Sequence, residues 1–146
     1  MARYPRDGVY LIRSDAGDLY VELTDGDIGP NVPLVGGPAH KGPSQQWELV
    51  AVEPEPDDTH TNTYTIKSKL GEVYAGQLAS RLFPPRAGSR PTPLTWSIEY
   101  VDEGVVRILS PRSDQSFELE RDGAVPEILL TRWKNAPTQR WILEQM

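Results

Sequence analysis

The chain has 146 residues, a length typical of one domain, and at this size about 70% of the unfolded surface can be buried. Its 21 acidic side chains outnumber its 15 basic ones and give a net charge of −6, which disfavours nucleic-acid partners because phosphate binding needs clustered cations. The absence of cysteine excludes disulfides, thiolate nucleophiles and cysteine-based zinc sites.

Alternation of apolar and polar residues predicts an all-β chain. Gly and Pro, with 12 and 14 residues, interrupt nearly every window long enough for a helix. Twelve short strands are predicted, in chain order at residues 9–13, 19–24, 33–35, 46–52, 64–69, 72–76, 81–83, 94–100, 105–109, 116–120, 127–131 and 140–144. No apolar run matches a signal peptide or a membrane span, so we expect a cytoplasmic protein with no membrane partner.

The predicted strands fall into three similar repeats, at roughly residues 7–53, 61–101 and 103–146. Each repeat begins with an apolar strand that contains Ile and ends in Ser, starting at Val9, Thr63 and Val105. Each repeat closes with a tryptophan followed two residues later by Leu or Ile. These tryptophans are Trp47, Trp96 and Trp141, spaced 49 and 45 residues apart.

Three repeats of four strands resemble the β-trefoil, a six-stranded barrel capped by three hairpins. The pattern Gln-x-Trp at Gln45 and Gln139, with a degenerate copy at Leu94, carries this resemblance along the whole chain. The repeated tryptophans are therefore predicted to be core. So are the strand residues Tyr10, Ile12, Tyr64, Ile66 and Ile108. Trp133 stands outside the repeat and is a candidate for an exposed ring.

No residue pattern indicates an enzyme, a metal site or a cofactor. His40 and His60 have no spacing typical of metal ligands. No Gly-x-Ser-x-Gly turn supports a nucleophilic serine, and paired carboxylates occur only in loop-like charge runs such as residues 53–58. We therefore expect a binding protein, a monomer whose loops carry the function.

Two loops are candidates for binding. In residues 25–33, Pro30 and Pro33 restrict the backbone around Asn31 and favour an extended, outward-facing stretch. Residues 79–93 contain Arg81, Arg86 and Arg90 and no acidic residue. That second loop is suited to present an arginine to an acidic pocket.

The chain resembles the mushroom β-trefoil serine protease inhibitors in three segments: residues 8–13, 64–67 and 94–98. The resemblance implies a substrate-like inhibitor of trypsin-like serine proteases that defends the organism against foreign proteolysis. It places the protease-binding loop between the second and third strands, at Gly29, Pro30, Asn31, Val32 and Pro33. Asn31 would enter the specificity pocket, and Arg86 or Arg90 is an alternative because an acidic pocket favours a cation.

Two other functions are compatible with a β-trefoil, because one fold hosts many functions. A carbohydrate-binding lectin would use an exposed aromatic ring, for which Tyr74, Trp96 and Trp133 are candidates. An inhibitor of papain-like cysteine proteases would use residues 14–18 and 36–44.

Overall fold

A computed structural model describes residues 4–54, 56, 62–80, 82–121 and 124–146. Across these residues the chain forms twelve β-strands and three single turns of 3₁₀ helix. The strands are β1 (Gly8–Ser14), β2 (Leu19–Leu23), β3 (Leu34–Pro38), β4 (Trp47–Val52), β5 (Thr63–Ser68), β6 (Tyr74–Gln77), β7 (Ala87–Arg90), β8 (Thr95–Asp102), β9 (Val105–Leu109), β10 (Gln115–Leu119), β11 (Ile128–Arg132) and β12 (Trp141–Gln145). None of the helices in these ranges could span a membrane.

Six strands close a barrel, and the other six form three hairpins. We call β1–β4, β5–β8 and β9–β12 units one, two and three. Within each unit the first strand pairs with the fourth. Between units the fourth strand pairs with the first strand of the next, and β12 returns to β1. The second and third strands of each unit pair as a hairpin.

The three hairpins meet around a threefold axis. Pro33 pairs with Gly88, Arg86 pairs with Leu129 and Glu127 pairs with Val35. In each unit, the residue that pairs with the next hairpin lies two positions before the residue that pairs with the preceding hairpin. The three sets are Pro33 and Val35, Arg86 and Gly88, and Glu127 and Leu129, so the three contacts repeat the same geometry. This relation sets which residues of the three units correspond.

The barrel core contains the residues that the sequence indicated. Trp47, Trp96 and Trp141 are almost completely buried, as are the predicted strand residues. Each indole N–H donates to a main-chain carbonyl of its own unit's second strand, on Val21, Ala75 and Phe117, at 2.9, 2.9 and 3.1 Å. The rings therefore fasten each hairpin to the barrel while they fill its interior.

The N-terminal segment packs against two of the core tyrosines. The Tyr10 hydroxyl donates to the carbonyl of Arg6, and the Tyr64 hydroxyl donates to the carbonyl of Pro5 at 2.7 and 2.6 Å respectively. Pro5 is buried. The residues before β1 thus satisfy two phenol groups that would otherwise lose their hydrogen bonds on burial.

The seventh strand is not where the sequence predicts it. Residues 81–83 were expected to form it, but Phe83 is 89% exposed outside any strand, and β7 is Ala87–Arg90. Residue 81 lies outside the described residues. A side chain at Gly88 would come within 2.6 Å of Leu78 and 3.1 Å of the Val32 carbonyl. Close packing of the hairpins requires small residues here, and small residues give no apolar strand signal.

Candidate functional site

A cleft of about 800 Å³ opens on unit one. Its walls come from β2 and β3, from the start of the loop that joins them, from the loop between β3 and β4, and from residues 124–126 before β11 of unit three. We call it the unit-one cleft. Leu19, Val35 and Val125 supply apolar surface, whereas Glu22, His40 and Ser44 supply polar atoms.

Glu22 is the central polar residue of the cleft, with a side chain that is 18% exposed. Its Oε2 accepts hydrogen bonds from His40 Nε2 at 3.0 Å and from Ser44 Oγ at 3.5 Å. Among the described residues no donor contacts its Oε1. This oxygen lies over Gly37, where a Cβ would come within 1.5 Å of it. The glycine therefore makes room for a carboxylate with a free acceptor atom.

The hydrogen bonds of His40 show which ring nitrogen accepts, which one donates, and which partners each one faces. Its Nδ1 accepts the N–H of Gly42 at 2.9 Å, which leaves Nε2 as the ring nitrogen that donates. Ser44 Oγ lies 3.3 Å from that same Nε2, which also faces Glu22. A catalytic relay needs the serine and the acid on opposite ring nitrogens, so this arrangement suits ligand binding and not nucleophilic catalysis.

Gln45 holds the loop that carries His40. Its side chain is fully buried, and its Oε1 accepts from the N–H groups of His40 and Lys41, both at 3.0 Å. Its Nε2 donates to the carbonyl of Pro38 at 2.8 Å. The glutamine of the Gln-x-Trp pattern thus positions a cleft residue from behind.

Unit three has a carboxylate at the corresponding position, but side chains of the same unit already donate to its oxygen atoms. Glu118 corresponds to Glu22, and it accepts hydrogen bonds from Thr131, Thr138 and Gln139. Thr131 stands where unit one has Gly37, as the strand registers show.

Unit two has no carboxylate at the corresponding position. Gly76 replaces it, and the stem of Arg90 lies against that glycine. The loop after the third strand is also shorter in unit two, at residues 91–94 against 39–46 in unit one. Unit one alone, among the described parts of the three units, presents a carboxylate to an open cleft.

The predicted protease-binding loop is ordered, but its conformation differs from the expectation. Asn31 was expected to be extended and outward-facing. Asn31 is exposed, as expected, but its backbone is left-handed, with φ of +64°, and not extended. Its side-chain amide bonds to Ala79. Asn31 Oδ1 accepts the Ala79 N–H at 2.7 Å, and its Nδ2 donates to the Ala79 carbonyl at 3.3 Å. Asn and Gly adopt this conformation most readily, and cross-loop bonding stabilises it here.

Ser89 of unit two fastens the same loop along its backbone. Its Oγ donates to the Gly29 carbonyl at 2.7 Å and accepts the Val32 N–H at 2.8 Å. Its carbonyl accepts the Asn31 N–H at 2.8 Å. Val32 is buried, and Pro33 bridges to β7. The exposed side chains of this loop belong to Asp25, Asp27, Ile28, Pro30 and Asn31, and that of Ile28 is 50% exposed.

The two alternative reactive arginines are held in place by other groups. Arg86 was considered as a loop-tip cation, but its side chain is only 13% exposed. It donates to the Pro84 carbonyl and lies 3.7 and 3.8 Å from Glu120 and Glu127 of unit three. It therefore joins two hairpins. Arg90 is half-buried over Gly76. Arg81, His60 and most of the acidic run at residues 53–58 lie outside the described residues.

Comparison with solved structures identifies the architecture. No protein-family model matches the chain, and no curated protein sequence matches it. Its backbone superimposes on the designed threefold protein ThreeFoil with a TM-score of 0.81 at 12% identity, covering 96% of this chain and all of the other. The Rhizoctonia solani agglutinin gives a TM-score of 0.84 at 14% identity, with both chains fully covered. The chain is a β-trefoil.

Other β-trefoil neighbours are lectins. The ricin B-like lectin of Macrolepiota procera, solved with lactose, has a TM-score of 0.78 at 19% identity and covers 99% of this chain and all of the other. Identities this low establish the fold and not the serine protease inhibitor family.

The β-trefoil places the three predicted sugar-stacking rings in different settings. Trp96 is 1% exposed and cannot stack on a ligand, which corrects its candidacy. Tyr74 and Trp133 are half-buried, and the Arg107 guanidinium lies 5.4 Å from the centroid of the Trp133 ring. Sequence reasoning missed Glu22, and it included His40 and Ser44 only within the candidate papain-binding loop at residues 36–44. The available signal was a glutamate at one strand position in units one and three, each with a hydroxyl residue before Gln-x-Trp.

Proposed function

We propose that this β-trefoil binds a carbohydrate in the unit-one cleft. The free Oε1 of Glu22 carries the proposal, because a shielded carboxylate with an unused acceptor atom beside an open cleft suits a ligand rich in hydroxyl donors. The fold neighbours support it, since one was solved with lactose and another, an earthworm lectin, with GalNAc.

The remaining cleft groups suit the two faces of a sugar ring. Ser44 Oγ directs its hydrogen at Glu22 Oε2 and keeps lone pairs that can accept from a sugar hydroxyl. Val35 and Val125 offer apolar surface for its C–H groups. This combination of a mainly apolar wall and a few convergent polar groups is typical of small-molecule sites.

Calorimetry after a glycan-array screen tests this function. Glu22→Gln keeps the side-chain shape and removes the carboxylate, so we expect affinity for the best array ligand to fall at least tenfold, by analogy with the loss of one charge-assisted hydrogen bond. Glu118→Gln changes the corresponding residue of unit three and should leave affinity unchanged. Wild-type protein that binds no glycan, or equal losses in both variants, would contradict the proposal.

Inhibition of trypsin-like serine proteases is a second candidate, supported by the preorganised backbone of residues 29–33. Ser89 holds the backbone of this loop at Gly29, Asn31 and Val32, and Ala79 holds the Asn31 side chain. A loop already ordered loses little entropy on docking. Ile28, Pro30 and Asn31 are the exposed residues that would contact a protease, with the Asn31 amide held by Ala79.

Titration of trypsin, chymotrypsin, subtilisin and papain tests this second function. The papain arm also covers the alternative loops at residues 14–18 and 36–44. Asn31→Gly keeps the left-handed backbone but removes the amide bonds to Ala79. We expect weaker inhibition of trypsin from this variant, whereas Asp18→Asn on another loop should inhibit like wild type. Full activity of all four enzymes at equimolar wild-type protein would reject protease inhibition.

A further inference from the structure

We propose that the unit-one cleft is a single site for neutral sugars and that it discriminates against sugars bearing a carboxylate. This inference rests on the proposed carbohydrate binding and names the ligand class and the stoichiometry. It follows from the charges that line the cleft and from the different states of the corresponding positions in units two and three.

The cleft is negatively charged where a ligand would bind. Glu22 and Asp25 line it, and its described lining residues include no Lys or Arg. A carboxylate on the ligand would face Glu22 without a counter-ion, and like charges in a partly desolvated site oppose binding.

Units two and three cannot provide second copies of the site. In unit three, three donors already occupy Glu118, and Thr131 stands over it. In unit two, Gly76 offers no carboxylate, and the short loop at residues 91–94 supplies no counterpart of His40. One ligand per chain follows, in spite of the threefold backbone.

The neutral class also fits the free acceptor atom and the apolar wall of the cleft. Glu22 Oε1 can accept only from groups that donate, and sugar hydroxyls or an acetamido N–H do so. The apolar wall of Leu19, Val35 and Val125 tolerates ring C–H groups or an acetyl methyl but gives no hydrogen bond to a second anion. Neutral hexoses and N-acetylhexosamines meet both conditions.

Calorimetry with matched monosaccharides tests the ligand class at pH 8 and low salt. The pairs are galactose with galacturonic acid and glucose with glucuronic acid, which differ only at carbon 6, and GalNAc is an added neutral probe. We expect at least one neutral sugar to bind with a stoichiometry near one and at least tenfold more tightly than its acid. The preference should shrink as salt is raised, because salt screens the repulsion.

Variants separate this inference from the proposed function. Glu22→Gln should weaken both members of a pair while bringing their affinities closer together. Asp18→Asn, a control on an exposed loop residue, should change neither affinity. A stoichiometry of two or three, or an acid that binds as tightly as its neutral partner, overturns the inference and leaves carbohydrate binding standing. No binding by any probe, nor by any array glycan, overturns both.

Discussion

Gly37 determines where the cleft carboxylate can lie. Its backbone is not left-handed, so an alanine would not be strained by its φ angle. Instead, the new Cβ would lie 1.5 Å from Glu22 Oε1 and 2.6 Å from its Cδ. The Glu22 side chain would have to move, which unit three avoids by placing Thr131 in hydrogen-bonding contact with Glu118.

Gly37→Ala should therefore weaken glycan binding at least tenfold and lower the free energy of unfolding by about 1–3 kcal/mol, the usual range for overpacking. Gly17→Ala is the matched control, because nothing lies within 4 Å of its added Cβ. Calorimetry and urea denaturation measure the two effects. Unaltered affinity in Gly37→Ala would show that the position of Glu22 does not determine binding.

Tyr64 links stability to alkaline pH. Burial, with a smaller contribution from the carboxylate of Asp7, raises the pKa of Tyr64 from 10.0 to about 12. Below pH 10 the phenol is neutral in both states. Between pH 10 and 12 it ionises in the unfolded chain but not in the folded one, so the free energy of unfolding falls as the pH rises.

Tyr64→Phe should expose this effect by difference. At pH 8.5 wild type should be more stable by about 1 kcal/mol, the usual value of one hydrogen bond, here to the Pro5 carbonyl. That advantage should disappear near pH 11, since phenylalanine does not ionise. Urea denaturation at both pH values measures it, with Tyr4→Phe as an exposed control. An advantage that stays constant would mean that Tyr64 ionises equally in both states.

At the scale of elements, the loop before the fourth strand explains why the Gln-x-Trp pattern is imperfect. Gln139 Oε1 accepts from Lys134 and Ala136, and its Nε2 donates to the Arg132 carbonyl. Gln45 makes the equivalent bonds in unit one. Unit two has the shorter loop and an exposed Leu94, so it has no long loop for a glutamine to hold.

Gln139→Ala should lower the free energy of unfolding by about 2–3 kcal/mol, since it leaves buried main-chain groups without partners. Gln46→Ala removes one exposed bond to the Lys41 carbonyl and should cost under about 1 kcal/mol. Thermal unfolding compares them, and amide exchange at Lys134 locates the damage. Similar costs for the two variants would show that the loop is held by other contacts.

Eleven of the twelve strands could be predicted because each contains a short run with apolar residues bounded by turn residues, although burial does not alternate along β3 or β6. The seventh could not, since the contact of Gly88 with Leu78 and Val32 demands small residues, and that demand comes from another unit. The conformation of Asn31 was hidden for the same reason. Its partners, Ala79 and Ser89, lie in a different unit. Pro30 and Pro33 restrict only their own backbone and that of the residue before each.

At the scale of the molecule, the threefold backbone was visible in the sequence but the site was not. Repeats reveal what the units share, namely the tryptophans and the barrel strands. The unit-one cleft depends on what they do not share: Gly37 in place of Thr131, the imidazole of His40, and Val125 contributed by unit three. Only the folded arrangement brings these differences to one place.

The pairing of β12 with β1 has a consequence for how the chain may be connected. The first and last strands pair at five positions, from Tyr10 with Gln145 to Ser14 with Trp141. The Met146 N–H also donates to the Val9 carbonyl. The β12–β1 pairing therefore closes the barrel between the two ends of the chain. It joins the strands that are most distant in sequence, and contacts of large sequence separation form slowly during folding.

Moving the chain ends to another loop should leave the native structure intact. A circular permutant that joins the two ends through a short Gly-Ser linker and opens at Gly104, on the exposed turn between β8 and β9, keeps every strand pair. It makes the β12–β1 pairing local and the β8–β9 pairing remote. Stopped-flow refolding should then show a changed rate with a similar unfolding free energy. The permutation changes the sequence separation of the paired strands, which affects the folding rate, but it keeps the native contacts that determine stability.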